Sequence, residues 1–394
     1  MTSVNMTSVN TQSVDTESIT IHESFENMGL KEDLLRGISA HGFEKPSAVQ
    51  QRAITPVIEG KNSIIQAQSG SGKTATFGIA ALQKVDPEIK TCQVLIVSPT
   101  RELATQTKHV ISALGSYLKY AICSVIGGMH LSREEVGKAQ IIIATPGRLY
   151  DIINRGYINM ETVSLFVLDE ADQMLGLGFR EQMEELLKFV PPTSQIAVYS
   201  ATMPPDMLDI TKKFMTDPVK ILVKKENLTL EGIKQFFIAL DNEKDKYDTL
   251  CDLYASISLA QTVIYCSSKK KVSWLSDSLR EEGYPISSIH GDIIQAERDT
   301  IMKEFRTGKT RVLITTDLLS RGIDIQQISL VINYDLPKEK ESYIHRIGRT
   351  GRYGRKGAAI NLVASQDDIR NIEDIQGYYN TQIEEMPANI SELI

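Results

Sequence analysis

NSIIQAQSGSGKTATFGIAALQ, residues 62–83, decides how the rest of the chain is to be read. An apolar, β-type run at 62–66 leads into a glycine-rich turn, and the turn opens a helical stretch. The turn, AQSGSGKT at 67–74, matches GxxxxGK[ST] except that Ala67 occupies the first glycine position. Each residue type suits phosphate binding. Across Ser69, Gly70, Ser71 and Gly72 the backbone N–H groups can wrap an anion, and the helix N-terminus adds the positive end of its dipole. Lys73 can reach the outer phosphates of ATP, and Thr74 offers a hydroxyl to Mg2+. The bland alternative is a glycine-rich turn that happens to precede a lysine; a strand before it and a helix after it argue against that.

Working outward, further strands are expected at 93–98, 121–126, 140–144, 164–168 and 195–200. These are continuous apolar runs rather than alternating ones, as expected when helices cover both faces of a parallel sheet. The texture repeats at 234–240, 261–266, 286–290, 311–315, 330–334 and 358–363. The fold class is therefore α/β, with two tandem doubly wound parallel-sheet domains at 23–222 and 233–394. They are joined by a flexible linker at 223–232, where apolar periodicity lapses and charges cluster. Residues 1–22 open with MTSVN written twice and hold too little apolar content to offset ordering entropy, so a disordered tail is expected. The polar clusters QSGSGKT, PTREL, TPGR, DEAD, SAT and TTDLLSRGID each follow an expected strand. In an open parallel sheet the carboxyl edge is where ligands bind, so these clusters should converge.

Bulk properties narrow the function. The chain has 394 residues with 43 Lys and Arg against 50 Asp and Glu, a net charge of -7, which excludes a polybasic protein that holds nucleic acid through overall charge. Cys92, Cys123, Cys251 and Cys266 form no CxxC pair and read as free thiols of a reducing compartment. Neither a cationic, apolar leader nor a run near membrane-span length is present, so an intracellular, soluble chain with no membrane partner is expected. Asp169 and Glu170 follow the apolar run SLFVL. Beside a phosphate loop, Asp169 suits Mg2+ binding and Glu170 suits polarisation of an attacking water.

AQSGSGKT, PTREL (99–103), TPGR (145–148), DEAD (169–172), SAT (200–202), RGID (321–324) and HRIGRTGR (345–352) stand in the order of the DEAD-box RNA helicases, which the chain resembles from Phe25 onward. Within that family the stretches GFEKPSAVQQRAI, ILVKKENLTLEGIKQFF, SLVINYDLP and YYNTQIEEMP look like the translation initiation factor 4A branch and its exon junction paralogue. DLLSRGID (317–324) looks more like the initiation branch.

The resemblance implies RecA-like domains, ATP and Mg2+ as cofactors, and an RNA-dependent ATPase that clamps and locally unwinds RNA when its domains close. It implies that Gln50 reads adenine, Phe25 stacks on the base and Asp324 contacts ribose. Arg349 and Arg352 become arginine fingers, and His345, Ser200 and Thr202 couple the nucleotide and RNA sites. RNA contacts are implied for Pro99, Thr100, Arg101, Gly127, Gly128, Thr145, Pro146, Gly147 and Arg148, and for Gln295, Arg298, Thr316, Asp317 and Arg321. Thr and Gly N–H groups at such turns contact phosphate and carry no base readout. A monomer is expected, borrowing a scaffold protein of the cap-binding complex. The chain departs from the family at Tyr265–Ser268, YCSS, where Asn-Thr is usual.

Overall fold

The structure, a computed structural model, describes residues 20–67, 70–175, 180–221, 233–256, 261–317, 328–350 and 357–387. The expected linker, and all of the expected tail except residues 20–22, lie outside them. His22 already donates its backbone N–H to the Gln51 carbonyl at 3.1 Å.

Among these residues the first sheet contains β1 (Ser63–Gln66), β2 (Val94–Val97), β3 (Ile122–Val125), β4 (Ile141–Ala144), β5 (Leu165–Asp169), β6 (Gln195–Ser200) and β7 (Val219–Ile221), in the order β3-β4-β2-β5-β6-β1-β7. The second contains β8 (Ile233–Ala239), β9 (Gln261–Tyr265), β10 (Ile286–Ile289), β11 (Val312–Thr315), β12 (Ile328–Asn333), β13 (Gly357–Val363) and β14 (Glu384–Glu385), in the order β10-β11-β9-β12-β13-β8-β14. Counted from its own first strand, each sheet has the same order, and every pairing is parallel. This is the RecA-like arrangement, present twice.

Both faces of the first sheet are covered. Ile65, Val94, Ile96, Val167 and Tyr199 pack with Phe77, Ala104 and Ile111 of the helices Lys73–Lys84 and Arg101–Leu114. The alternate residues Ile64, Leu95, Val97, Phe166, Leu168 and Val198 pack with Leu149, Met183 and Ile210 of the helices Pro146–Asn154, Arg180–Leu187 and Pro205–Phe214. Two-sided burial explains why β2, β4 and β5 are continuous apolar runs.

All twelve expected strands are present, with ends shifted by a residue or two. Two more flank β1 and β8. β7 (VKI) is half-buried at two of its three positions and β14 (EE) is exposed, so neither carries an apolar run to betray it. No helix of the described residues is long and apolar enough to cross a membrane.

Candidate active site and nucleic-acid interface

The phosphate loop leaves β1 and enters the helix Lys73–Lys84 through Gly70 and Gly72, whose φ values of +82° and +98° lie in the region where a Cβ is costly. Lys73 is buried at 6% exposure; its Nζ donates to the Ala67 carbonyl at 2.8 Å and lies 4.0 Å from Glu170 Oε1. Thr74 is half-buried on the first helical turn. Ser69 lies outside the described residues.

Two residues upstream in sequence close the loop from above. Ser47 Oγ donates to the Ser71 carbonyl at 2.8 Å, and a Cβ on Gly72 would stand 2.8 Å from Gln50 Nε2. Gln50 also serves its own helix: its Oε1 accepts the Ser47 N–H at 2.8 Å in a capping box. The Ser-x-x-Gln spacing at 47–50 was a readable signal of this second role. Phe25 is 2% exposed and packs in the same core cluster as Leu34, Ile54 and Phe77.

Asp169 ends β5 at 2% exposure, and burial together with the Glu170 carboxylate pushes its carboxyl up to about 8 against the pull of Lys73. Its Oδ2 has no hydrogen-bond partner among the described residues. An interior carboxylate beside a second carboxylate offers the hard oxygens that Mg2+ takes, and Thr74 would add a hydroxyl of the same kind. Glu170 holds a strained φ of +51°, a rarity outside glycine that is concentrated at functional turns.

Asp172 gathers the next group. Its Oδ2 accepts from Thr202 Oγ1 at 2.5 Å and lies 2.8 Å from His345 Nε2, while its backbone N–H donates to Ser200 Oγ at 3.3 Å. His345 belongs to the second half and is fully buried at this contact. Arg349, one turn further on, is 2% exposed and donates from Nε to the His345 carbonyl. Arg352, Asp324 and Arg321 lie outside the described residues.

The other expected RNA residues sit at strand ends on the β3-β4-β2 side of the first sheet. Thr100 caps the helix Arg101–Leu114 by accepting the Leu103 N–H, and Thr145 precedes Pro146 at the start of Pro146–Asn154. Helix N-termini with uncommitted N–H groups suit phosphate. The Arg101 guanidinium lies against the Gly127–Gly128 turn: a Cβ on Gly127 would meet Nη2 at 2.7 Å. Gly147 is exposed; Pro99 is buried; Arg148 is paired with Asp151 at 2.6 Å.

In the second sheet the matching side is β10-β11-β9. Gln295 and Arg298 both reach across to Glu102 Oε1 of the first half, at 3.3 and 3.4 Å. Thr316 is half-buried after β11, and both carboxylate oxygens of Asp317 accept from Arg346, at 2.6 and 2.8 Å. In the departure YCSS, the Ser267 N–H donates to Asp335 Oδ2 at 2.7 Å and Ser268 caps the helix Lys269–Glu281.

Residues 47–210 match the family described as DEAD/DEAH box helicase, and residues 245–354 match the helicase conserved C-terminal domain. The ATP-dependent RNA helicase eIF4A of Mycosarcoma maydis is 56% identical over 379 residues, covering 95% of this chain and 92% of that protein. The chain belongs to the DEAD-box family of ATP-dependent RNA helicases. The ATP-dependent RNA helicase FAL1 of Pyricularia oryzae is 54% identical over 380 residues, covering 95% of this helicase and 94% of that one. Saccharomyces cerevisiae Dbp5 bound to RNA and ADP BeF3 superimposes with a TM-score of 0.89 at 36% identity, over 93% of this helicase and 96% of that chain. The same yeast protein as a variant bound to Nup159, Gle1, IP6 and ADP gives 0.64 at 35% identity, over 93% and 97%. The two halves of this helicase therefore meet as in the RNA-bound form. It is an RNA-dependent ATPase that uses a nucleotide and acts on RNA.

Sequence reasoning missed Asp172, Glu102 and Arg346 of the helicase. Asp172 and Glu102 act through partners 173 to 196 positions away, and Arg346 through Asp317, 29 positions away; a carboxylate or a basic residue reads as solvated until its partner is known.

Proposed function

We propose that this helicase clamps RNA and separates short duplexes locally in translation initiation, with an active site completed only when its two domains close. The observation that carries this reading is the buried contact of His345 with Asp172, three residues after Asp169. Domain boundaries at 23–222 and 233–394 with a linker at 223–232 fit the two sheets.

In this reading Lys73 and the N–H groups of residues 69–74 hold the phosphates, and Gln50, Phe25 and Asp324 hold the base and ribose. Thr74 and Asp169 would hold Mg2+, which supplies charge neutralisation on the outer phosphates. Glu170 orients and polarises the attacking water, and its strained backbone fixes that aim. Arg349 and Arg352 bring positive charge to the transferring phosphoryl group only after closure. RNA favours closure because it binds both sheets at once, and a ligand shifts only those equilibria whose states it binds differently. Bulk attraction is weak at a net charge of -7, so the RNA grip depends on backbone N–H groups and a few arginines aligned by closure.

Lys73→Ala should abolish RNA-stimulated ATP hydrolysis; retained stimulation would remove the phosphate-loop assignment. Arg352→Ala should slow hydrolysis by roughly 10³-fold or more with little change in ATP affinity. Service in the cytoplasm beside a cap-binding scaffold is supported by the eIF4A relatives; the alternative is an RNA clamp or helicase of the exon junction complex or of rRNA processing, in the nucleus. A pull-down from the native cells, scored for cap-binding scaffold, distinguishes them.

A further inference from the structure

Behind the metal-binding edge lies a set of buried polar groups that the mechanism above does not use. Tyr199 on β6 pairs in register with Asp169 on β5. Ser98 follows Val97, whose partner on β5 is Leu168, and its N–H continues the ladder to the Ala144 carbonyl at 2.9 Å. Ser98, Asp169 and Tyr199 thus stand level on three neighbouring strands, about 4.8 Å apart from one to the next. Side-chain alternation puts all three on one face. Val94 and Ile96, Leu165 and Val167, and Ala197 and Tyr199 all belong to the core cluster beneath the phosphate-loop helix.

That face is dry and closely packed. Ser98 and Tyr199 are each 0% exposed, and the Tyr199 ring meets Phe77 of the helix Lys73–Lys84 edge-on at 5.2 Å. Yet among the described residues Ser98 Oγ, Asp169 Oδ2 and the Tyr199 hydroxyl all lack a hydrogen-bond partner. Leaving one such group unsatisfied is costly, and three together at adjacent positions are rare in a native interior. Ordered water is the ordinary remedy, since a buried water makes about three hydrogen bonds to groups of this kind. Two of the three groups are hydroxyls, able to donate through water toward a carboxylate; the third is the carboxylate at the metal edge.

We propose that Tyr199 and Ser98 are positioning residues for Asp169: their hydroxyls hold ordered water against Asp169 Oδ2 and thereby set how tightly the site takes Mg2+ with its nucleotide. The proposal rests on the nucleotide reading above and adds residues that no phosphate-loop or DEAD-segment motif contains. Groups behind a metal ligand orient it, and their loss weakens metal affinity by about tenfold or more.

The test is binding of a fluorescent ADP analogue to the full chain over a series of Mg2+ concentrations and in EDTA, for the parent, Tyr199→Phe, Ser98→Ala and the double variant. Tyr199→Phe should raise the half-saturating Mg2+ concentration by about tenfold. Ser98→Ala should shift it in the same direction, and affinity in EDTA should stay at the parent value. The melting temperature in EDTA should change little, because each variant removes a hydroxyl whose proposed partner is water, and no bond to another protein group. An unchanged Mg2+ midpoint in both single variants would overturn the proposal, as would an equal loss of affinity with and without Mg2+, the mark of a merely structural role. If Tyr199→Phe does not fold, Ser98→Ala decides alone. A parent that binds no labelled ADP at any Mg2+ concentration would sink the nucleotide reading together with this one, whereas normal binding with unshifted midpoints sinks only this one.

Discussion

Asp169 keeps its proton far above the ordinary carboxylate range because burial and Glu170 both disfavour its charge. Without metal, the folded chain therefore holds a proton that the unfolded chain releases near pH 4. The stability contributed by this group is complete below about pH 4 and is lost as pH rises through about 8. Asp169→Asn should flatten that part of the pH dependence, measured as melting temperature in a chelator. Glu170→Gln should retain ATP binding while stalling hydrolysis and prolonging RNA clamping; a fast-turnover variant would remove Glu170 from the catalytic set. Arg346 acts differently. It is 1% exposed, bonds Asp317, Asn333 and the Asp335 carbonyl, and lies over the Tyr265 ring at 5.0 Å. Lysine cannot reproduce that planar fork, so Arg346→Lys should cost about 2 kcal/mol by denaturant melting. The phosphate loop was legible because its chemistry is local, whereas the Arg346 cradle draws on side chains from three separate strand ends.

At the scale of elements, the strands that matter for function are those buried on both sides, and continuous apolar runs made them readable. β14 escaped because a pair of exposed glutamates gains its place from β8 and not from its own side chains. The helix starts were half-legible. Thr100 could be read as a helix cap or a turn residue, and the structure makes it the cap of Arg101–Leu114. Thr100→Ala should cost about 1 kcal/mol and weaken RNA binding by loosening the first turn; melting and RNA titration check both. Gly127→Ala should displace Arg101, since its Cβ would meet Nη2 at 2.7 Å, and should lower RNA affinity without changing nucleotide affinity.

For the whole molecule, sequence order showed two similar halves but not how they touch. Glu102 with Gln295 and Arg298, and Asp172 with His345, join residues separated by 173 to 196 positions. Glu102→Ala should lower RNA-stimulated hydrolysis and shift the ensemble toward separated domains, seen as a larger radius of gyration in the presence of RNA and a nucleotide analogue. The sheet order has a mechanical corollary. The turns proposed to face RNA follow β3, β4 and β2, while those proposed to face the nucleotide follow β5, β6 and β1, and the two groups are joined where Val94–Val97 pairs with Leu165–Leu168. A slip of one residue in that ladder would turn its buried side chains to the opposite face, so the pairing holds the two groups of turns at a fixed spacing. In the proposed mechanism, news that RNA has arrived reaches the nucleotide when the other half docks, rather than as strain passed along the sheet.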